Sequence, residues 1–520
     1  MSTPLFDATS GFPPQDTLLP TGVPQLDRVL GGGLPQGTLA IILGPPGSGK
    51  TTLASQIAFA AAKRGEQALL LTAFSEPTTK LLDHLRSFHF FAPDLVGSTI
   101  QVFSLQQFLT QGKPATAQDI VTAVHQTHAN VVVLDGFQSI RSMEADFIAT
   151  RQLLYDLGTR LSLRGTTTLI TTEADPRDPS LFPEMTTGDA LIGLYFTLKG
   201  VRAFRSMEAL KVRGRAPLPG RHSLMLNAEG AHIFPRLESW SKRATFETWQ
   251  GETSHLNEQE RATFGLPELD ALLGGGLTRH TSTLITGSVG TGKTLLALQF
   301  ALTGVSRGET AVFLGFRETG EQLVQKADAF NLGSQLRKAL SPGGGLTLQR
   351  WEPVELDPDQ IAANLLSAIE QTGARHVVID SIAELERAVL ENSGPERTSN
   401  YLAALLAALR ARSVTLLALK EAAKGVATQV DFSVDALGVL AENVLQVQQL
   451  AYRGKLHRVL SILKMRFSAH DYQLREFVIA SPEGIRVLAR DESGEEVLVG
   501  LAEEQAGIRV GSSSPIQREG

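Results

Sequence analysis

The 520-residue chain contains no cysteine. Disulfides, thiolate metal sites and thiol catalysis are therefore excluded. Aromatic residues are sparse at 6%, and no basic stretch interleaved with aromatics offers a stacking platform for single-stranded nucleic acid. No uninterrupted apolar run approaches the roughly 18 residues needed to cross a bilayer. The first residues, MSTPLFDATSGFPPQ, lack the basic start and apolar core of a signal peptide. A cytoplasmic location without membrane attachment is the expectation. Forty-eight Lys and Arg against 54 Asp and Glu give a formal net charge of −6, which gives no overall pull toward nucleic acid, and none is expected as a partner. The 11 histidines never fall in a metal-binding H-E-x-x-H spacing, and no Ser/His/Asp grouping can be argued from position.

What is there is a repeat. Leu19–Glu76 and Arg261–Glu318 both read Gly, Leu-Asp, Gly-Gly-Gly-Leu, an apolar strand, a glycine-rich loop and a helix. The offset between matching residues is 293 − 50 = 243 for the loop lysines and 318 − 76 = 242 for the glutamates. It is 380 − 135 = 245 for two aspartates and 464 − 211 = 253 for two later lysines. So steady a register marks a duplication, with several residues gained late in the second half. The spacing predicts a first domain over 19–238, a linker over 239–260 and a second domain over 261–491, with flexible tails at 1–18 and 492–520.

Within the first half, Leu39–Leu43, Ala68–Leu71, Val131–Leu134 and Thr168–Ile170 are short apolar runs that predict buried strands. Thr51–Arg64 and Ala117–His128 between them predict helices. This alternation predicts an α/β fold with a mostly parallel central sheet flanked by helices, present twice. Leu191–Phe196 and Met207–Val212 predict later, antiparallel strands that finish the sheet.

Gly44-Pro45-Pro46-Gly47-Ser48-Gly49-Lys50-Thr51 and Gly287-Ser288-Val289-Gly290-Thr291-Gly292-Lys293-Thr294 both complete G-x-x-x-x-G-K-[ST] after a strand and before a helix. In such a P-loop the backbone N–H groups converge on phosphate oxygens. The lysine reaches the outer phosphates and the threonine hydroxyl meets Mg2+. Thr52 and Leu295 follow directly and complete the candidate phosphate-binding sets. Asp135 and Asp380 end the VVVLD and VVID runs, 85 and 87 residues after the lysines. That is the place of a Mg2+-binding strand-end carboxylate, though an aspartate there also suits a turn. Glu76 and Glu318 follow the second strand of each half. Each is a candidate to orient or deprotonate the attacking water, or simply a first-turn glutamate favoured by the helix dipole. Lys211-Val212-Arg213 and Lys464-Met465-Arg466 place two cations on one face of a strand. They read either as cationic fingers for a neighbouring subunit's phosphate or as a guarded sheet edge.

The paired GGGL…GKT halves, the strand-end aspartates, LKVRGR and LKMRFSAHDYQLREF together resemble KaiC, the duplicated RecA/DnaB-type ATPase of the circadian clock. The resemblance spans Leu19 to Val487. It implies two tandem RecA-like P-loop NTPase domains, ATP and Mg2+ as cofactors, and an ATP-dependent homo-hexamer that meets signalling partners. It also implies that Lys211, Arg213, Lys464 and Arg466 contact ATP bound by the adjacent protomer. Three departures stand out. The family carries two successive glutamates after the second strand, where this chain has Ser75-Glu76 and Arg317-Glu318. Gly438 and Val439 fall on the clock protein's two phosphoacceptors, and neither has a hydroxyl. Phe467 stands where glycine is usual, although His470-Asp471 persists. The leading expectation is a KaiC-like ATPase acting as a nucleotide-gated scaffold. The alternatives are a serine/threonine autokinase, a RecA-like DNA motor and a module that only binds ATP.

Overall fold

A computed structural model describes residues 18–72, 78–105, 117–138, 147–177, 183–240, 261–421, 436–452, 455–468, 470–471 and 474–488. The expected tails up to Thr17 and from Glu492 onward, Glu76 and the linker residues 241–260 lie outside these. The chain divides into two compact units, Met1–Trp240 and Ser241–Gly520.

In the first unit the strands are β1 (Leu18–Leu19), β2 (Leu34–Pro35), β3 (Leu39–Leu43), β4 (Ala68–Thr72), β5 (Ile100–Ser104), β6 (Val131–Asp135) and β7 (Thr167–Thr172). They continue with β8 (Ala190–Lys199), β9 (Arg202–Val212), β10 (His222–Asn227) and β11 (Gly230–Phe234). Leu18 pairs with Pro35, so it belongs to β1 rather than to the N-terminal tail in which its sequence put it. Nine strands form one sheet in the order β5-β4-β6-β7-β3-β8-β9-β10-β11. The run from β5 to β8 is parallel, and β8 to β11 are antiparallel neighbours. Every residue of β3 and β4 is buried, because a strand covered on both faces needs an unbroken apolar run rather than alternation. Ala40 and Ile42 pack into one core with the helix Lys50–Lys63, while Leu39, Ile41 and Leu43 pack into another on the opposite face.

The second unit repeats this plan with β12 (Arg261–Ala262), β13 (Leu277–Thr278), β14 (Ser282–Gly287), β15 (Ala311–Gly315), β16 (Leu346–Arg350), β17 (His376–Asp380) and β18 (Thr415–Glu421). It ends with β19 (Asn443–Tyr452), β20 (Lys455–Met465), β21 (Arg475–Ala480) and β22 (Gly484–Val487). The sheet order β16-β15-β17-β18-β14-β19-β20-β21-β22 matches the first strand for strand. The late gain in length also finds its place. The offset is 415 − 167 = 248 from β7 to β18 and 443 − 190 = 253 from β8 to β19. Five of the added residues therefore fall between the strand beside the P-loop strand and the next one.

Each unit opens on the same aspartate-centred turn. Asp27 Oδ1 accepts from the backbone N–H and the hydroxyl of Thr21 at 2.9 and 2.6 Å. Asp270 accepts the backbone N–H groups of Phe264, Gly265 and Leu266 at 2.8, 3.0 and 3.2 Å. The Leu-Asp of the repeat is thus a structural lock that seats the entry segment. Among the described residues no helix is long and apolar enough to cross a membrane.

Candidate functional site

Both glycine-rich loops leave the C-terminal end of a central strand and run into a 14-residue helix, Lys50–Lys63 and Lys293–Ser306. Neither helix has a side-chain cap or an acidic residue in its first turn. The first N–H groups of each helix, with the positive end of its dipole, therefore face the loop without an internal acceptor. Gly49 and Gly292 precede the helices at φ 101° and 95°, a conformation that side chains rarely adopt. A Cβ on Gly292 would lie 2.2 Å from Ile479 Cδ1, and one on Gly49 2.7 Å from Leu226 Cδ1.

The lysines curl back over their loops. Lys50 Nζ donates to the carbonyls of Gly44 and Pro45, both at 2.9 Å. Lys293 Nζ donates to those of Gly287 and Ser288, both at 2.8 Å. Burial holds both ammonium groups below the ordinary lysine range, against the pull of Glu173 and Asp135 in one case and of Glu421 and Asp380 in the other. Thr51 Oγ1 donates to the two Asp135 carboxylate oxygens at 3.1 and 3.0 Å, and Thr294 Oγ1 to Asp380 Oδ2 at 2.7 Å. Burial pushes the Asp380 carboxyl up, opposed by its bond from Thr294. The aspartates are thus brought to the loops across 84 and 86 residues by the sheet. Hydroxyl and carboxylate oxygens facing each other form the donor set that a hard cation takes beside phosphates. Ser48 Oγ is buried without a hydrogen-bond partner, an orphaned donor that fits a phosphate oxygen. Thr52 and Leu295 are buried, and each stands in the first turn of its helix, where backbone N–H groups have no internal acceptor.

In the second unit a cleft of about 390 Å3 lies beside the loop, lined by Lys293, Thr294, Arg317, Glu318, Asp380 and Glu421 among others. Glu318 lies in this cleft, bonded to Lys326, and its Oε2 is buried and unpartnered.

The Lys-x-Arg pairs are elsewhere. Lys211 Nζ donates to the carbonyl of Gly188 at 2.7 Å, and Arg213 pairs with Asp189 at 2.8 Å. Asp189 also accepts from the backbone N–H of Leu39, at the start of β3. Lys464 Nζ donates to the carbonyls of Gly438, Val439 and Ala441, and Arg466 is exposed. Burial, with the neighbouring arginine charge, holds Lys211 and Lys464 below the ordinary range. These groups lie at the start of the strand whose other end carries the P-loop, a strand length of roughly 16 Å away. Neither pair meets the P-loop of its own unit.

Two further pairs escaped the sequence reading. Arg205 Nε donates to the Gly47 carbonyl at 3.1 Å, and Arg458 Nε to the Gly290 carbonyl at 3.4 Å. Their spacing, 458 − 205 = 253, equals that of the late lysines and was the signal available. Glu173 follows β7 and Glu421 ends β18, and 421 − 173 = 248 matches the offset of those strands. Gly287 pairs in register with Glu421, so each acid stands at the strand tip beside its loop.

Two nine-stranded, mostly parallel sheets flanked by helices, each with a P-loop and a strand-end aspartate, define tandem RecA-like P-loop ATPase domains. The family model described as "ATPase: KaiC" matches residues 19–238 and 262–492. The chain belongs to the KaiC family. It is 25% identical to the circadian clock oscillator protein KaiC of Picosynechococcus sp. over 484 residues, covering 88% of this chain and 86% of that protein. It is 26% identical to the circadian clock protein KaiC3 of a Synechocystis species over 476 residues, covering 89% and 90%. The KaiC of Thermosynechococcus vestitus is 25% identical over 493 residues, covering 89% and 87%.

Proposed function

We propose that the chain is a KaiC-like ATPase that binds ATP with Mg2+ in both units, shares each site between neighbouring copies of a homo-hexamer, and works as a nucleotide-gated signalling scaffold. The observation that carries this reading is the duplicated contact of P-loop threonine with strand-end aspartate, Thr51 with Asp135 and Thr294 with Asp380.

In this reading Gly44, Gly47, Ser48, Gly49, Lys50, Thr51 and Thr52 bind the phosphates in the first unit. Gly287, Gly290, Thr291, Gly292, Lys293, Thr294 and Leu295 bind them in the second. The glycines bring N–H groups close, and the lysines draw charge from the outer phosphates. Thr51 with Asp135 and Thr294 with Asp380 would hold Mg2+, which neutralises charge on the β- and γ-oxygens when bound. Glu318, and Glu76 in the first half, orient or deprotonate the attacking water. For Glu318 this is supported by its place in the cleft and its unpartnered oxygen. Lys211, Arg213, Lys464 and Arg466 meet the phosphates of the adjacent copy, because their own P-loops are out of reach.

The test is phosphate release measured beside native mass with and without ATP. Wild type assembles on ATP and releases phosphate; Lys50→Ala with Lys293→Ala loses both. Unchanged assembly and release in the double variant would overturn the reading. Autophosphorylation is the lesser reading, since Val439 is exposed but offers no hydroxyl. Label from γ-labelled ATP on a serine or threonine would establish it. Salt-sensitive DNA binding that stimulates hydrolysis would instead indicate a DNA motor.

A further inference from the structure

The second half carries a charge where the first has none. Where the chain has Ser75 in the first half it has Arg317 in the second. Arg317 follows β15 by two residues, and the N–H of Phe316 before it is anchored on the Asp380 carbonyl at 3.2 Å. Its guanidinium therefore enters the cleft that holds Lys293, Asp380 and Glu421.

The contacts of Arg317 are unequal. Its Nη1 lies 2.8 Å from Glu421 Oε1, a short charge-assisted bond. Its Nη2 and Nε reach Glu384 Oε1 at only 3.3 and 3.4 Å, the long end of the range. Glu384 meets a second cation through its other oxygen, Oε2, 2.7 Å from Arg387. The Arg317 side chain is 57% exposed, and its shortest contact is the one to Glu421.

Glu421 also stands in register with Gly287, whose carbonyl accepts from the Lys293 ammonium at 2.8 Å, and both side chains line the same cleft. One carboxylate thus stands among two cations, the P-loop lysine and Arg317. A terminal phosphate meets the same demand with more oxygens and more charge, and the guanidinium fork matches it in two-point contact. The matching position of the first half, Ser75, carries no charge.

We propose that Arg317 is the residue by which the second site distinguishes a nucleoside triphosphate from a diphosphate, exchanging Glu421 for the terminal phosphate. This rests on the reading of the second unit as a nucleotide site. A cation in this position retains the triphosphate, where an acid would activate water against it.

The test titrates fluorescent ATP and ADP analogues into full-length Lys50→Ala, in which the second site alone binds. Adding Arg317→Ala should lower the preference for ATP over ADP about tenfold while ADP affinity stays within about twofold. Arg317→Gln, which keeps a hydrogen-bonding side chain, should show the same loss and decides the case if the alanine variant does not fold. An unchanged preference, or equal weakening of ATP and ADP, would overturn the proposal and leave the nucleotide site standing. Failure of Lys50→Ala to bind either nucleotide would instead remove the second site itself, and the proposal with it.

Discussion

Lys464 Nζ lies 2.6 Å from the carbonyl oxygen of Ala441, at the end of the second sheet away from Lys293. Lys211 stands in the same relation to Gly188 in the first unit. Both lysines close off the carbonyl end of a short segment leading into a strand, so their removal has a small local cost. If they serve a neighbour's phosphate, two defective chains should repair each other. A chain carrying Lys50→Ala and Lys293→Ala, mixed with one carrying Lys211→Ala and Lys464→Ala, should regain phosphate release that neither shows alone. No recovery on mixing, at concentrations where native mass shows mixed oligomers, would refute shared sites.

Asp135 and Asp380 should govern the cation rather than the nucleotide. Asp135→Asn with Asp380→Asn keeps the side-chain shape and an acceptor for the threonine hydroxyls, but removes the charge. The expected result is a roughly 10–100-fold higher Mg2+ requirement for phosphate release. ATP affinity in the presence of a chelator should change little. Magnesium titration at saturating ATP reads the effect directly.

Gly292→Ala should damage both stability and binding. The left-handed backbone at φ 95° costs a non-glycine residue about 1–2 kcal/mol. The new methyl group would also press on Ile479. Moving Ile479 disturbs β21, while moving the loop disturbs the N–H groups that face phosphate. Thermal melting should show the loss of stability, and nucleotide titration of the second site a separate loss of affinity.

Asp270→Ala should destabilise the second unit by about 2–3 kcal/mol, because it strands three backbone donors of the entry segment at once. Asp270→Asn keeps an acceptor oxygen and should lose less. Urea midpoints of the two variants at constant slope would separate the two outcomes.

His376 makes the second unit sensitive to mild acid. Its ring is buried against Phe300 in an edge-on contact 5.0 Å between centroids, with Nε2 on Glu309. Burial lowers its proton affinity below the ordinary value of 6.5, helped by the charges of Arg279 and Arg307 and opposed by Glu309. The unfolded chain takes up a proton near pH 6.5 and the folded chain only at lower pH. Stability is therefore full above 6.5 and declines as pH falls below it. In His376→Asn the decline between pH 7.5 and 5.5 should flatten when followed by thermal melting.

The P-loops, the strand-end aspartates and the strands around them were legible because each is a contiguous pattern. Buried strands such as Leu39–Leu43 need an unbroken apolar run, and the loop chemistry needs its glycines in fixed order. Glu421 was not legible in this way. Its meaning comes from register, which sets it opposite Gly287 across a parallel pair 134 residues apart in sequence. Arg205 and Arg458 are similar, since only the fold of their hairpins brings them to a loop carbonyl. The place of the Lys-x-Arg pairs also needed the sheet, because alternation along a strand gives a face but not an end. Glu76 lies outside the described residues.

The separation of Lys50 from Lys211, and of Lys293 from Lys464, gives each unit a direction. An interface that joins one end of a sheet to the other end of the next uses two different surfaces, so it is heterologous. A two-fold dimer cannot satisfy both ends of both chains. Such contacts either close as a ring, with every site equivalent, or run on as an open filament. The rotation between neighbours, rather than the chemistry of either end, then decides whether the assembly has a finite size.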